Sequence, residues 1–313
     1  MASSNLCVLR YVNEAVFGTT PANPVLKNMR FVSEALNYNL ETIQSQEIRS
    51  DRGVSDTVQV RSDAGGDINF EFSFQTFDDL LVALMCQTDW TAVDANNKTL
   101  INGIVRRSFS IQKHLQDMTP EQFFNFRGSI INTMSLNIAI GQMITGAFGI
   151  MALGSSRSEA QITGATITPA PTSRVFNAVN NIGDIIIDTV PYTGCISSLA
   201  LNVANNIRPV DCIGSLEHSD MVLGTFECSG NMDIYFSDGT MYDKFLNNSE
   251  FGFSFEVDDE GGNMYEFLLP RVKFESGTVV AQGQNTDVMF NATWRALHDS
   301  TEGCTMKITR TNA

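Results

Sequence analysis

The most constraining feature of this sequence is a segment that occurs twice in similar form. Residues 66–81 read GDINFEFSFQTFDDLL, and residues 230–245 read GNMDIYFSDGTMYDKF. Aligned without gaps, the two segments share a glycine, a phenylalanine, a serine, a threonine and an aspartate, namely Gly66 and Gly230, Phe72 and Phe236, Ser73 and Ser237, Thr76 and Thr240, and Asp79 and Asp243. A repeat of this size predicts two copies of one small domain.

The length of the chain agrees with two domains, because 313 residues is about twice the usual domain size of ~100–150 residues. We expect a first unit at residues 1–154 with an N-terminal arm, a linker and extended arm at 155–195, and a second unit at 196–313. The linker is predicted from the small polar residues of Gly154–Ser158 and from two prolines at Pro169 and Pro171.

Alternating apolar residues predict strands in both units. Ile68, Phe70, Phe72 and Phe74 alternate with polar residues, and Leu36, Tyr38 and Leu40 do the same. Further along, Phe109-Ser110-Ile111 resembles Phe253-Ser254-Phe255. Thr76 with Asp79, and Thr240 with Asp243, have the spacing of a helix capping box. The sequence therefore predicts a mainly β fold with minor α content: two tandem β-sandwich or small-barrel modules, each with one short helix.

A long polar segment, residues 44–63, interrupts the first unit. Its mixed charges and scarce apolar residues predict a loop or protruding hairpin, either docking against a complementary surface or merely solvated. The interface candidates are Gln46, Glu47, Arg49, Asp51, Arg52, Asp56 and Arg61.

Motifs for chemistry are missing from the sequence. No nucleophile elbow, phosphate-binding loop or paired Cys-x-x-Cys is present, so we predict no catalytic, cofactor-binding or metal-binding residue. The three histidines are far apart in sequence and are predicted at the surface or in loops, and the six cysteines are predicted as free thiols.

No leader peptide or membrane span is visible. The net charge of −15 and the absence of a basic run argue against nucleic-acid binding.

The chain resembles the tail tube (major tail) proteins of long-tailed bacteriophages, of the kind with two tandem modules. The resemblance lies in the segments Glu14–Pro21, Glu41–Arg52, Gly65–Leu81, Leu199–Arg208, Gly214–Ser215, Leu223–Phe226 and Leu269–Phe274. It implies a virion structural protein, assembled in the host cytoplasm, that polymerises with itself into stacked rings around a channel for DNA ejection. Six modules to a ring imply three chains, or six chains with the extra module outside.

The resemblance also implies partners and a role for the charged segment. Tape measure, tail terminator and baseplate proteins are the expected partners, and viral DNA passes through the lumen without specific binding. The segment at 44–63 occupies the place of the loop with which this family reaches the neighbouring ring, whereas Pro209–Leu223 in the second unit is shorter and less charged. Polar strand faces at residues 37–41 or 67–71 are expected to border the lumen or the outer side.

Two other functions remain open at this stage. One is a receptor- or carbohydrate-binding β-sandwich, such as a virion decoration or adhesin module, which would need exposed aromatic residues in a cleft. The other is a hydrolase on a β scaffold, for which the sequence offers no pairing of nucleophile and base.

Overall fold

The computed structural model describes residues 3–281 and 283–313 and confirms a mainly β fold. These residues contain a 3-10 turn at Ser4–Leu6, twenty-two strands and two short α-helices. The elements of the first half are β1 (Cys7–Asn13), β2 (Val25–Met29), β3 (Ser33–Glu34), β4 (Asn37–Gln44), β5 (Thr57–Glu71), α1 (Asp78–Leu84), β6 (Thr91–Ala92), β7 (Asn97–Ile101), β8 (Phe109–Leu115), β9 (Gln122–Ala139), β10 (Thr145–Ala152), β11 (Gly154–Ser158) and β12 (Thr166–Thr168). Those of the second half are β13 (Ile182–Ile187), β14 (Val190–Pro191), β15 (Ile196–Ala204), β16 (Arg208–Val210), β17 (Asp220–Val222), β18 (Glu227–Tyr235), α2 (Thr240–Leu246), β19 (Phe251–Asp258), β20 (Met264–Ala281), β21 (Val288–Ala296) and β22 (Lys307–Thr311).

In the first half, two layers of strands share the long strand β9. The first part of β9 pairs with β8 and β11, and its second part pairs with β10. From β8 the first layer continues to β1 and β2, with β12 added in parallel. From β10 the second layer continues to β5 and β4. One bent strand thus holds both layers together.

In the second half, β20 occupies the same position as β9. Its first part pairs with β19 and β22, and its second part pairs with β21. The layers continue from β19 to β13, and from β21 to β18 and β15. Six ladders of the first half therefore have a counterpart in the second: β1·β8, β8·β9, β9·β11, β9·β10, β10·β5 and β5·β4 correspond to β13·β19, β19·β20, β20·β22, β20·β21, β21·β18 and β18·β15.

The residue registers of these ladders also agree. Glu71 lies opposite Thr145 in the first half, and Tyr235 lies opposite Met289 in the second. Glu71 and Tyr235 are related by the same shift as the repeated sequence segment, in which Gly66 aligns with Gly230. The sequence similarity and the strand pairing thus give the same alignment at this point.

A bulge bends each long strand at the equivalent place. The β9·β10 ladder passes over Asn132, and the β20·β21 ladder passes over Glu275. An extra residue in one strand increases its bend and twist. The bulge therefore lets β9 and β20 leave one layer and enter the other without losing their partners.

The sequence alignment of the later strands, which matched Phe109 with Phe253, differs by two residues from the alignment given by the strand pairing. Phe109 lies opposite Ser129, and its counterpart by ladder position is Phe251, which lies opposite Val272, rather than Phe253. The strand pattern repeats every two residues, so a shift of two positions preserves every inward and outward side chain. Sequence comparison alone could not distinguish the two registers.

Phenylalanine side chains form one core that runs through both halves. The predicted inward residues Ile68, Phe70, Phe72 and Phe74 are all buried. Phe70 stacks on Phe148 of β10, with ring centroids 4.6 Å apart, inside the first half. Phe72 contacts the rings of Tyr265 and Phe267 in the second half at 5.4 and 6.1 Å. The apolar interior therefore does not stop between the repeated segments.

The predicted linker at Gly154–Ser158 is wrong in its first residues. These residues form β11, which pairs with Phe123–Arg127 of β9 and closes one layer of the first half. Strand pairing uses main-chain groups, so small polar side chains do not prevent it at a sheet edge. Within the predicted extended arm, β13 and β14 form a hairpin, and β13 belongs to the second-half layer through β19.

The predicted cap at Thr76 is also wrong. Helix α1 begins at Asp78 and follows Phe77, which provides no side-chain cap. The preceding Gln75 has a positive φ of 57°, and this turn points Thr76 inward, where its hydroxyl lies 2.6 Å from that of Ser73. Asp79 instead accepts hydrogen bonds from Tyr11 and Lys27 of the neighbouring strands.

In the second half, Thr240 is the first residue of α2 rather than its cap. The cap position is Gly239, and the carboxylate that accepts the Thr240 N–H, at 2.8 Å, belongs to Asp238. Asp243 lies in the first turn, where a negative charge favours the helix dipole, but it forms no capping box. The helices were predicted in the right places with the wrong caps.

Within the described residues, no helix has the length and apolar character needed to cross a membrane. Both α1 and α2 have only seven residues.

Gly230 provides a test of the close approach between β15 and β18. A Cβ at this position would lie 2.0 Å from the Ala200 carbonyl oxygen and 2.4 Å from the Trp294 ring. We expect Gly230→Ala to lower the free energy of unfolding by about 1–3 kcal/mol through overpacking, measured by urea denaturation. Gly252→Ala is the control, because its Cβ would meet nothing closer than a carbonyl oxygen at 3.5 Å. Equal losses in both variants would contradict this explanation.

Candidate assembly interface

The two halves of the chain are joined edge to edge by backbone hydrogen bonds. The second part of β9 pairs antiparallel with β15, from Thr133 opposite Ala204 to Ala139 opposite Ser198. This ladder makes one continuous sheet that runs β4, β5, β10, β9, β15, β18, β21 and β20. The internal joint therefore shows how one half presents an edge to another.

A second ladder crosses between the halves in the other layer. The C-terminal strand β22 pairs with β7, from Lys307 opposite Ile101 to Thr311 opposite Asn97. Strands β6 and β7 lie between α1 and β8, whereas α2 is followed at once by β19. The first half thus carries an additional hairpin that receives the end of the chain.

A half-buried cluster of polar groups reinforces this contact. Asp78 at the start of α1 accepts a hydrogen bond of 2.5 Å from the Tyr265 hydroxyl and forms an ion pair with Arg310 of β22. The Tyr265 hydroxyl in turn accepts the Gln75 N–H at 2.9 Å. The Arg310 guanidinium also lies over the Trp90 ring, 5.0 Å from its centre. Hydrogen bonds and an ion pair of this cluster therefore connect the two halves, although the Arg310 Nε and the Trp90 Nε1 are buried without a hydrogen-bond partner.

Burial dominates the protonation of this cluster. It raises the pKa of Asp78, against the opposing effects of the Tyr265 hydrogen bond and the Arg310 charge. It also raises the pKa of Tyr265 well above its ordinary value, and the nearby Asp78 carboxylate adds to that rise. The tyrosine is thus a neutral hydrogen-bond donor across the whole physiological pH range.

Two edges of the continuous sheet have no strand partner within the described residues. One is the outer side of β4, which pairs only with β5. The other is the second part of β20, from Ser276 to Ala281, which pairs only with β21. Val279 and Val280 on that edge are 38% and 37% exposed. Open edges with apolar residues favour pairing with another chain.

The charged segment forms the hairpin between β4 and β5. Of the predicted candidates, Arg61 lies in β5, and all the others lie between the strands, namely Gln46, Glu47, Arg49, Asp51, Arg52 and Asp56. All seven are exposed. Arg49 donates two hydrogen bonds to Asp51, at 3.0 and 2.7 Å, so part of the charge is neutralised inside the hairpin.

Apolar residues on this hairpin were missed by the sequence interpretation. Ile48 at its tip is 99% exposed, Val54 is 62% exposed, and Ile43 and Val58 in the paired stem are 57% and 53% exposed. The predicted inward residue Leu40 is also exposed, because β4 extends past the core after Tyr38. Apolar side chains presented together on one protruding element are typical of an interaction surface.

The second-half hairpin, β16 and β17, folds back on the first half instead of protruding freely. The Leu216 carbonyl oxygen accepts the Ser62 N–H of β5 at 2.9 Å, and Glu217 forms an ion pair with Arg127. At its tip, Ile213 is fully exposed. The two halves therefore use this position in the fold differently.

His114, predicted at the surface or in a loop, lies in β8 and is buried, whereas His218 lies in the loop between β16 and β17, as predicted, and is also buried. His218 lies between two carboxylates, with Nε2 2.9 Å from Asp63 and Nδ1 2.5 Å from Asp211, and it ties the second hairpin to β5. His114 stacks on Phe123 with ring centroids 4.1 Å apart, and burial lowers its pKa. His114 also lies within hydrogen-bond distance of Arg10 and Glu121, at 3.0 and 2.9 Å.

The face of the continuous sheet that points away from the core is polar and acidic. On β5 it carries Asp67, Asn69 and Glu71, which alternate with buried residues. The arginines on this face are paired with acids: Arg61 contacts Glu41 and Asp63 at 3.4 and 3.3 Å, and Arg295 contacts Glu227 and Glu275. The remaining charge of this face is therefore negative.

The described residues hold no group of three or more His, Cys, Asp or Glu side chains arranged to bind a metal ion. All six cysteines are free thiols, with Cys86, Cys228 and Cys304 buried. Burial raises the pKa of the Cys86 and Cys304 thiols to about 11.

Tyr265→Phe tests the polar cluster between the halves. The variant removes one donor from Asp78 and the acceptor of the Gln75 N–H, so we expect a loss of about 1–3 kcal/mol in the free energy of unfolding, measured by urea denaturation. Tyr242→Phe is a matched control, because within the described residues the Tyr242 hydroxyl makes no hydrogen bond. A loss no larger than in the control would contradict the role assigned to Tyr265.

Comparison with known families finds a match over most of the chain. A family model described as phage tail tube protein matches residues 4–296. No curated protein matches the chain. The matched residues include both halves of the continuous sheet and the charged hairpin, so the family covers every element described above except β22. The chain belongs to the phage tail tube protein family and is a structural component of the virion tail.

Proposed function

We propose that this protein polymerises with itself into closed rings that stack into the tail tube and enclose the channel for DNA ejection. The observation that carries the proposal is the continuous sheet with an unpaired edge at each end, β4 and the second part of β20. A sheet of this kind is completed by the edges of further copies. Head-to-tail contacts of one type close into a ring when their rotation closes.

Three chains make one ring in this proposal. The chain is inferred to be an internal duplication, because six ladders recur in both halves with matching registers and bulges. If the joint between chains repeats the joint within the chain, three chains supply six similar modules. The first module then comprises residues up to β12. The second module begins at β13 rather than at residue 196, because β13 pairs with β14 and β19, which both belong to the second half.

Stacking of rings is assigned to the hairpin between β4 and β5. The interface residues are the predicted candidates at 46–61 together with the apolar side chains that the structure adds, Ile48 and Val54. A surface with apolar residues inside a charged rim has the composition of a specific protein contact. The second hairpin is held against the first half and does not take the same role.

The polar face of the continuous sheet is assigned to the lumen. Its acids Asp67, Glu71 and Asp233 repel phosphate groups, and Arg61 and Arg295 are already paired with carboxylates. Binding to DNA requires free lysine or arginine contacts with phosphates. Viral DNA is therefore expected to pass along this face without being held.

Other tail proteins are expected to meet only the ends and the lumen of the tube. Membership of the family supports a tape measure protein inside the tube during assembly and terminator and baseplate proteins at its ends. A carbohydrate- or receptor-binding function has less support, because Trp294 is fully buried and Trp90 is packed between Tyr265 and Arg310.

Charge reversal in the hairpin tests stacking. We expect Arg49→Glu with Arg52→Glu to leave the circular dichroism spectrum unchanged and to lower the yield of tubes at least about tenfold, counted by negative-stain electron microscopy, because each lost charge contact at an interface costs about 1 kcal/mol or more. The control is Arg49→Lys with Arg52→Lys, which keeps both charges. Unchanged tube length and yield in the charge-reversed protein would show that the hairpin is only solvated.

Charge reversal on the polar face tests the lumen. We expect tubes of the Asp67→Lys, Asp233→Lys variant to retain short double-stranded DNA at least about tenfold more tightly than wild-type tubes, with an affinity that falls as salt rises. The control is Glu260→Lys with Glu302→Lys, which makes the same change of charge at exposed turns. Fluorescence anisotropy measures retention, and equal retention by the two variants would place the polar face outside the channel.

A further inference from the structure

The joint inside the chain specifies how two chains pair. The second part of β20 corresponds to the second part of β9, because each follows the bulge and each pairs with the counterpart strand, β21 or β10. On the other side of the joint, β15 corresponds to β4, because each pairs with the counterpart strand, β18 or β5. Within the chain β9 and β15 are paired, whereas β20 and β4 are open.

The correspondence extends to single residues. Leu201 lies opposite Gly230. In the first half Asn37 lies opposite Gly65, so the preceding residue, Leu36, lies opposite Gly66 in the same antiparallel register. A Cβ at Gly230 would meet the carbonyl of Ala200, and one at Gly66 would meet that of Ala35. Leu36 is thus the counterpart of Leu201.

Strand β9 is matched to β20 in the same way. Thr145 pairs with Asn137 in the first half, and Met289, the counterpart of Thr145, pairs with Val280 in the second. Val280 is thus the counterpart of Asn137, and Val279 is the counterpart of Leu136.

We propose that β20 of one copy pairs antiparallel with β4 of the next copy in the register of the internal joint. Val279 then lies opposite Leu36, as Leu136 lies opposite Leu201 within the chain. The further opposed pairs are Val280 with Ala35, Thr278 with Asn37, Gly277 with Tyr38, and Ser276 with Asn39. The proposal rests on the ring proposed above and adds to it that the two open edges pair with each other, with the direction and register of that pairing.

Side-chain chemistry agrees with this register. Leu36 belongs to the core side of the sheet, and Val279 lies on the same side because its neighbour across the ladder, Phe290, is buried. Thr278 and Asn37 both lie on the polar side, like Ser135 and Asn202 in the internal joint. A shift by one residue would place apolar side chains opposite polar ones, which strongly disfavours it.

The joint between chains lacks one part of the internal joint. Within the chain β22 adds to β7, but α2 is followed directly by β19 and supplies no such strand to the β11 edge of the next copy. One strand ladder therefore connects chains, whereas two ladders and the Asp78 cluster connect the halves. Tubes are thus expected to dissociate into intact chains before the halves separate.

Disulfide trapping tests the register. In the internal joint the Asn205 N–H donates to Asn132, so the pair Asn202 and Ser135 is a non-hydrogen-bonded one, with a Cα separation of about 4.5 Å that suits a disulfide. The matching pair between chains is Asn37 and Thr278. We expect Asn37→Cys with Thr278→Cys, in a Cys195→Ser, Cys212→Ser background, to give oxidised tubes whose chains run as linked dimers and closed trimers on non-reducing gels.

The control pair is Glu41→Cys with Thr278→Cys, which lies four residues out of register and should link at least about tenfold less. Electron microscopy of the reduced samples separates the two proposals. Tubes that form but link equally or better through the control pair overturn the register and leave the ring intact. A protein that forms no ring or tube under any condition overturns the proposed function itself.

Amide hydrogen exchange of the unaltered protein provides a second measurement if the cysteine variants fail to fold. We expect peptides covering residues 33–40 and 276–281 to become protected at least about tenfold on assembly, while peptides of β9 and β15 are protected in both states. Tubes in which either open edge still exchanges at the rate of the free chain would overturn the pairing.

Discussion

The structure depends on the need of every buried main-chain amide and carbonyl group for a partner. In one layer this need is met by a run of ladders from β4 to β20, and the run passes through the middle of the chain without a break because β9 pairs with β15. Within the described residues, β4 and the second part of β20 each pair on one side, and they lie at opposite ends of the same sheet. In a chain arranged in this way, unpaired main-chain groups determine which strands can pair with another copy. The pattern of inward and outward side chains then determines the register of that pairing.

The long strands β9 and β20 make this arrangement rigid. Each belongs to both layers of its half, and each changes layer at a bulge, Asn132 or Glu275. The phenylalanine core fills the space between the layers and continues from Phe72 to Phe267 across the two halves. Because the interior is shared, the halves cannot rotate freely, and the directions of the two outer edges are held relative to each other.

Sequence reasoning reached the fold class, the family and the helices, because alternation in residues such as Ile68, Phe70 and Phe72 reports burial directly. Its predictions were wrong where main-chain pairing or main-chain conformation determines the local structure. The small polar residues of Gly154–Ser158 form a strand because pairing with β9 does not depend on side chains. The cap at Thr76 failed because the positive φ of Gln75 has no signal in composition. The exposed Ile48 and the buried His218 depend on which distant segments meet, which no local pattern contains.

The extra hairpin of β6 and β7 breaks the equality of the two halves. In a ring of three chains, as proposed above, contacts reinforced by this hairpin would alternate with contacts that lack it, and the symmetry of that ring would be threefold and not sixfold. The covalent connection also supplies half of the contacts before any chains meet, at the high effective concentration of an intramolecular encounter. Such a ring would need only two encounters between chains, because the third contact closes within the trimer. An axial partner would meet two kinds of seam around its circumference.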